Sequence, residues 1–430
     1  MNQVNFNYSM KNIPIPSKKD YLIKLTNSCE IFVENLRKHI NYVLNPNKQK
    51  GDKETYGFPS QRKVNAVDEL KPLEDELKSL VKTVKFTKTS NQFQNTLSKD
   101  KSNIAKDSKV YLNGDKTTNC YRVSKEFSED LMHRNITKNY KKSTAEKVTE
   151  VDVQDRKVAA DLEIEDRVFK TSAKEAYETV KDHKPNYMNN PECRDINPCK
   201  PELGKVSKKI LSEIILTVRE KTGYNQWKNT DSVISWFKNL RTTARSSFIQ
   251  CDICEYYPSI TPELLRKAII WARKHCDISA DDERVIFQAR KSFLFYKGQP
   301  WVKTKNEDFD VTMGSYDGAE VCDLVGLYLL SQLQHLNVNV GAFRDDWLMH
   351  GTLPPRQLEG VKKELCRVFK DNGLRITIEA NISNVNFLDV NLDLTTHTYR
   401  PYMKPNQTPL YVHKLSNQPP THFEKHTPFN

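Results

Sequence analysis

Apolar residues recur every three or four positions in several stretches of this chain, and each stretch predicts a helix with one buried face. The first spans 20–43, DYLIKLTNSCEIFVENLRKHINYV. Two more cover 125–140 and 148–169, the second strongly charged. Over 206–221, VSKKILSEIILTVREK places Ile210, Ile214 and Val218 on one face. Over 261–273, Thr261 offers an N-cap, Pro262 a first turn, and Glu263 a charge complementary to the helix dipole. Apolar helices are predicted at 320–333 and 359–369, the latter stopped by Asn372-Gly373. Short apolar runs predict strands at 246–253, 339–344, 347–350, 374–379 and 385–394. By contrast, 45–65 and 86–118 are polar and weakly periodic, and read as long loops or partly disordered segments.

The order strand, helix, helix, hairpin, helix, strand is no regular βαβ repeat, so an α+β fold with an antiparallel sheet is expected. The texture changes near residue 171. Before it the chain is rich in Lys, Asn, Thr and Ser; after it apolar runs lengthen and aromatics multiply. We expect residues 1–170 to form a basic, mainly helical leader, partly disordered, ahead of a compact body.

The formal charge of +12 and pI near 9.0 suit a polyanionic partner. No run of about eighteen apolar residues occurs, so no membrane span is expected. The N-terminus lacks the apolar core of a secretory signal. Nine scattered cysteines read as reduced thiols of an intracellular protein, with nucleus or cytoplasm left open. Cys251 and Cys254 form a C-x-x-C, but an offset of three on a strand sends side chains to opposite faces. Buried thiols are expected there, not zinc or redox chemistry.

Candidate chemistry lies in the acids. Asp345 and Asp346 sit at the expected hairpin tip in Asn339-Val-Gly-Ala-Phe-Arg-Asp-Asp-Trp-Leu-Met-His350. Roughly ninety residues upstream, Asp252 ends the strand in Phe248-Ile-Gln-Cys-Asp-Ile-Cys-Glu-Tyr-Tyr-Pro-Ser-Ile260. Each alone reads as a turn or surface aspartate. Neighbouring carboxylates repel, however, and a bound cation removes that penalty, so three at strand ends suit divalent metal and a triphosphate. Tyr257 offers an aromatic wall nearby, or simple core packing.

These segments resemble reverse transcriptases. Asp252 to Tyr257, Thr312-Met-Gly-Ser-Tyr-Asp-Gly-Ala-Glu320 and Phe343-Arg-Asp-Asp346 look like the palm motifs of that family. Gly373-Leu-Arg-Ile-Thr-Ile-Glu379 and Asn386-Phe-Leu-Asp-Val390 look like the strands that close the palm. Lys181-Asp-His-Lys184 and Cys193-Arg-Asp-Ile-Asn-Pro198 look like fingers motifs, and Asp115-Lys-Thr-Thr-Asn119 resembles the leader of retroelement polyproteins with a Penelope-like texture. The resemblance covers roughly 170–415 and implies a right-hand polymerase: fingers at 171–245, palm at 246–415, and 416–430 as a tail or the start of a thumb that is short or missing.

The resemblance further implies an RNA-directed DNA polymerase. Asp252, Asp345, Asp346 and the carbonyl of Ile253 would hold two Mg2+ ions, with Mn2+ as an alternative. Lys181, Lys184 and Arg194 would contact the incoming triphosphate, and Tyr257 would exclude a ribose 2′-hydroxyl. Met313-Gly314-Ser315 would face the template–primer. Expected partners are an RNA template, a DNA or RNA primer and dNTPs, with no membrane and no assignable oligomeric state. Trp347, where the family usually has glycine, and Asp195, after the fingers arginine, depart from the pattern, as does Ser383 where a lysine is usual. Trp347, Asp195 and the short C-terminus motivate an alternative, a catalytically impaired polymerase-derived protein that binds nucleic acid.

Overall fold

The computed structural model of the protein describes residues 1–4, 17–44, 67–87, 89–115, 117, 119–165, 168, 174–184, 186–199, 201 and 203–403. The loop expected at 45–65 therefore lies outside the described residues, as does the tail expected at 416–430. In chain order the elements are β1 (Asn2–Val4), α1 (Lys18–Leu44), α2 (Lys71–Thr83), α3 (Gln92–Lys106), β2 (Val110–Gly114), β3 (Cys120–Val123), α4 (Lys125–Asn139), β4 (Tyr140–Lys142), α5 (Ala145–Asp161), β5 (Tyr177–Val180) and β6 (Cys193–Ile196). There follow α6 (Leu203–Thr222), β7 (Asn225–Gln226), α7 (Thr230–Lys238), β8 (Ser247–Ile253), α8 (Tyr256–Ser259), α9 (Pro262–Ala272), α10 (Ala280–Gln288), β9 (Leu294–Tyr296) and β10 (Gln299–Lys303). The last are α11 (Gly318–Gln332), β11 (Asn339–Phe343), β12 (Asp346–Gly351), α12 (Pro355–Asp371), β13 (Ile376–Ile382), β14 (Asn384–Phe387), β15 (Val390–Asp393) and β16 (Thr398–Pro401).

The described residues form an α+β protein with two compact units, Met1–Met132 with Glu178–Arg194, and His133–Tyr177 with Asp195–Asn406.

In the first unit a sheet of order β1-β3-β2-β5-β6 carries Leu112, Tyr121, Val123 and Val180 in a small core with Leu131. β2 runs parallel to β5, which joins the leader to the segment expected to begin the fingers. The leader thus carries strands beside its helices. The loop expected over 86–118 is corrected, because it contains α3 and β2. A capping box builds α3: Asn91 accepts from the N–H of Gln94, whose side chain accepts from the N–H of Asn91. Its apolar face is thin, with Leu97 the buried residue, so periodicity alone is a weak signal there.

In the second unit the main sheet has order β13-β8-β12-β11-β7. β12 pairs antiparallel with both β8 and β11, and β13 pairs antiparallel with the far side of β8. One core cluster joins Phe248 and Leu348 of this sheet to Trp227, Trp236, Phe237 and Phe387. Gly341 makes that fit possible, since a Cβ there would stand 2.1 Å from Trp227 Cζ2. α11 is apolar on nearly every side, with Val321, Leu324, Val325, Leu327, Leu329 and Leu330 buried against neighbours that include α6 and α9.

Three expectations are adjusted. The helix predicted over 148–169 runs from Ala145 to Asp161, and Glu163 lies in the left-handed region at φ 56°. The strand predicted over 385–394 is the hairpin β14–β15, turned at Leu388 with φ 52°. A further hairpin, β9–β10, precedes α11 and was not anticipated.

Candidate active site at the ends of β8 and β12

The β8 strand positions Asp252 at its end, and the ladder to β12 puts Asp252 directly opposite Asp346. On the other side of β8, Asp252 pairs with Thr377 of β13. Asp345 lies in the turn just before β12, and its carbonyl accepts the N–H of Ile253 at 2.9 Å. Arg344 adopts φ 54°, so the tip is made by a residue in the left-handed region. The structure thus brings Asp252, Ile253, Asp345 and Asp346 to one corner of the sheet. Asp252 is exposed, and Asp345 and Asp346 are half-buried. Opposed side chains in an antiparallel pair share a face, and like charges there disfavour the pairing unless a cation intervenes. Among the described residues, no three acidic, imidazole or thiol groups converge in a way that could hold a metal ion.

The backbone after β8 turns at Glu255, with φ 50°, into the short helix α8. Lys138 and Arg375 lie 3.1 and 3.5 Å from the Glu255 carboxylate. Tyr256 is buried, and its hydroxyl donates to the Cys322 carbonyl at 2.8 Å. Tyr257 is half-buried beside Gly318, where a Cβ would stand 3.5 Å from its ring. Burial pushes the Tyr257 phenol up, so it stays neutral through the physiological range.

Met313, Gly314 and Ser315 form the turn ahead of α11. Gly314 has φ +111°, and a Cβ on it would stand 2.6 Å from the Asn197 carbonyl oxygen. The close approach that this glycine permits is therefore to the chain itself. Ser315 donates to the Thr312 carbonyl at 3.0 Å, closing the turn. Behind it Asp317 is buried with Arg290 as its ion partner, and Ser207 donates to its other oxygen at 2.5 Å.

Lys181, Lys184 and Arg194 belong to the first unit, and the acids and Tyr257 to the second. Lys181 lies 4.0 Å from Glu192, Lys184 is exposed, and Arg194 makes an ion pair with Asp115 at 3.1 Å.

One residue escaped the sequence reading. Burial pushes the Asp323 carboxyl up to about 6, partly offset by Arg344 and Arg219, and its charge reaches the Tyr257 phenol together with that of Asp345. Its signal is a lone carboxylate inside the apolar run Val321-Cys-Asp-Leu-Val325. In the C-x-x-C, Cys251 is buried beneath the sheet, where burial raises its thiol, and Cys254 is half-buried. Trp347, the bulky departure, does not occupy the turn. It pairs with Cys251, is fully buried against Phe369, and its indole N–H donates to the Arg344 carbonyl at 3.0 Å. Among the described residues no helix is long and apolar enough to cross a membrane.

No protein-family model matches this chain, and no curated protein matches it in sequence. Among solved structures it is similar to apo telomerase from Candida tropicalis, with TM-score 0.52 and 11% identity, covering 78% of this chain and 62% of that one. It is likewise similar to telomerase from Candida albicans in complex with a fragment of telomeric RNA, with TM-score 0.52 and 9% identity, covering 82% of this chain and 61% of that one. At such identities the likeness is one of fold, and the α+β fold is similar to that of a right-hand polymerase. The chain spans about three fifths of the length of these telomerase chains.

Proposed function

We propose that this chain is an RNA-directed DNA polymerase of a retroelement, extending a primer on an RNA template with dNTPs. The observation that carries the reading is the pairing of Asp252 with Asp346 across β8 and β12, with Asp345 fixed in the adjoining turn by the N–H of Ile253. The donor chemistry fits Mg2+, because carboxylates and a backbone carbonyl are the hard oxygen ligands it takes. Asp252, Asp345, Asp346 and the Ile253 carbonyl are the groups that would hold it. Once bound, the metal supplies charge neutralisation for the triphosphate and acidity to a primer hydroxyl.

The chain's own residues account for the rest. Tyr257 stands as a neutral, half-buried ring at the end of α8, a wall against which a ribose 2′-hydroxyl would collide. Arg194 presents a guanidinium able to grip phosphate oxygens bidentately, and Lys181 and Lys184 add point charges. Met313, Gly314 and Ser315 would face the template–primer from a turn whose Gly314 is seated against the Asn197 carbonyl.

A second reading is motivated by Asp195, an acid directly after the proposed phosphate contact Arg194: a protein of this fold that holds nucleic acid without copying it. Primer extension on an RNA template separates the two. The intact chain should incorporate dNTPs, and Asp252→Asn or Asp345→Asn should cost at least about 100-fold in rate while leaving salt-sensitive RNA binding in place. If the intact chain binds RNA but extends nothing, or Asp345→Asn extends as well as it does, the polymerase reading falls and the binding reading stands.

A further inference from the structure

Thr117 and Asn119 of the leader meet Asp182 in the first unit. One oxygen of Asp182, Oδ2, accepts from Thr117 Oγ1 at 2.6 Å, from Asn119 Nδ2 at 2.9 Å and from the Tyr121 hydroxyl at 2.8 Å. Gly114 lets the loop close this far, since a Cβ there would stand 2.2 Å from Thr117 Oγ1 and 2.7 Å from Asp182 Oδ2. The backbone agrees: the N–H of Asp115 donates to the Val180 carbonyl at 2.8 Å, and the N–H of Lys181 to the Glu192 carbonyl at 2.8 Å. This clasp fixes Asp115 at the end of β2. The Asp115 side chain is 7% exposed, and its Oδ1 lies 3.1 Å from Arg194 Nη1. Thr179 Oγ1 reaches the same oxygen at 3.5 Å, while Oδ2 is buried with no donor among the described residues.

A carboxylate so enclosed is costly unless a cation stands against it. Arg194 is that cation, yet it keeps 31% of its side chain exposed. A guanidinium has five N–H donors, and one ion pair at one end leaves others for a second anion. We propose that Asp115 is a positioning residue: it holds Arg194 at one edge so that the opposite edge is presented, already oriented, to the phosphates of an incoming nucleotide. The proposal rests on the reading of Arg194 as a triphosphate contact, and gives the leader a part in nucleotide capture. Binding gains because the rotamer freedom of a long cationic side chain is lost before the substrate arrives.

The test is steady-state incorporation of dTTP by the full chain on poly(rA) primed with oligo(dT). Asp115→Asn keeps the shape and removes the charge. It should raise KM for dTTP about tenfold while kcat changes less than about twofold. Arg194→Ala should raise KM similarly, and the double variant should be no worse than Arg194→Ala alone, because the first residue acts only through the second. Asp115→Glu, which keeps the charge one methylene further out, should recover part of the loss and serves if the asparagine variant does not fold. An unchanged KM in a folded Asp115 variant, with Arg194→Ala impaired, overturns the role of Asp115 and leaves the triphosphate reading intact. An unchanged KM in Arg194→Ala overturns both. A fall in kcat and melting temperature at constant KM marks a merely structural carboxylate, and also overturns the proposal.

Discussion

Arg290 and Asp317 are 1% and 0% exposed, and neither charge is tolerable there alone. Burial pushes the Asp317 carboxyl up, while Arg290 and the Ser207 hydroxyl oppose that shift. Arg290→Met should therefore cost about 3–5 kcal/mol in urea unfolding, because it strands a buried carboxylate. Adding Asp317→Leu should recover most of that loss. Equal instability of the single and double variants would mean that packing, not charge, dominates the site. Sequence could point to Asp317 through the segment Thr312–Glu320, but not to its partner, because nothing local marks Arg290 as buried. Asp252 and the Asp345-Asp346 pair were legible for the opposite reason. Acids at the ends of apolar strands break the local pattern, and only the ladder register was needed to set them opposite one another.

The hairpin β11–β12 shows how alternation resolves an apparent misfit. Successive strand residues point to opposite faces, so Asp346 can line the candidate site while Trp347 is driven beneath the sheet. There Trp347 meets Phe369 of α12 edge-on at 5.2 Å, and its N–H satisfies the Arg344 carbonyl of the turn itself. A tryptophan after the paired aspartates is thus a core residue of the element, tied back to the tip. Trp347→Ala should cost about 3–5 kcal/mol, from lost burial and the cavity left behind. Asp346→Asn should change stability little or raise it, since it relieves repulsion with Asp252. Thermal or urea denaturation of the two variants checks the contrast, and a Trp347→Ala protein as stable as the parent would remove the hairpin's anchor. At this scale the long, strongly periodic helices α1, α6, α11 and α12 and the strands β8, β11, β12 and β13 were readable. α3 was not, since polar capping residues carry its start. Nor was β9–β10, whose three- and five-residue strands are too short to show alternation.

In the second unit, buried carboxyls contribute a pH dependence opposite in sign to that of a salt-bridged carboxylate. Asp155 joins α5 to α10 by accepting from Gln288 Nε2 at 2.7 Å, and burial pushes its carboxyl up to about 6, with Asp152 adding to the rise. In the unfolded chain the same group titrates near about 4. Between those values the folded protein holds a proton that the unfolded chain has released, so folding is favoured at low pH and loses that advantage as pH rises through about 6. Asp323, raised to about 6, works in the same sense. His350 works against both: burial holds its imidazole below the ordinary value, so acidification through the histidine range destabilises the fold. A difference experiment isolates the carboxyl. Asp155→Asn keeps an acceptor for Gln288 and removes the ionisation. Its stability relative to the parent, from urea unfolding, should be near zero at about pH 4 and should climb by roughly 2–3 kcal/mol by about pH 7.5. A pH-independent difference would mean that Asp155 ionises in the fold as it does in water, and that the α5–α10 contact carries no buried proton.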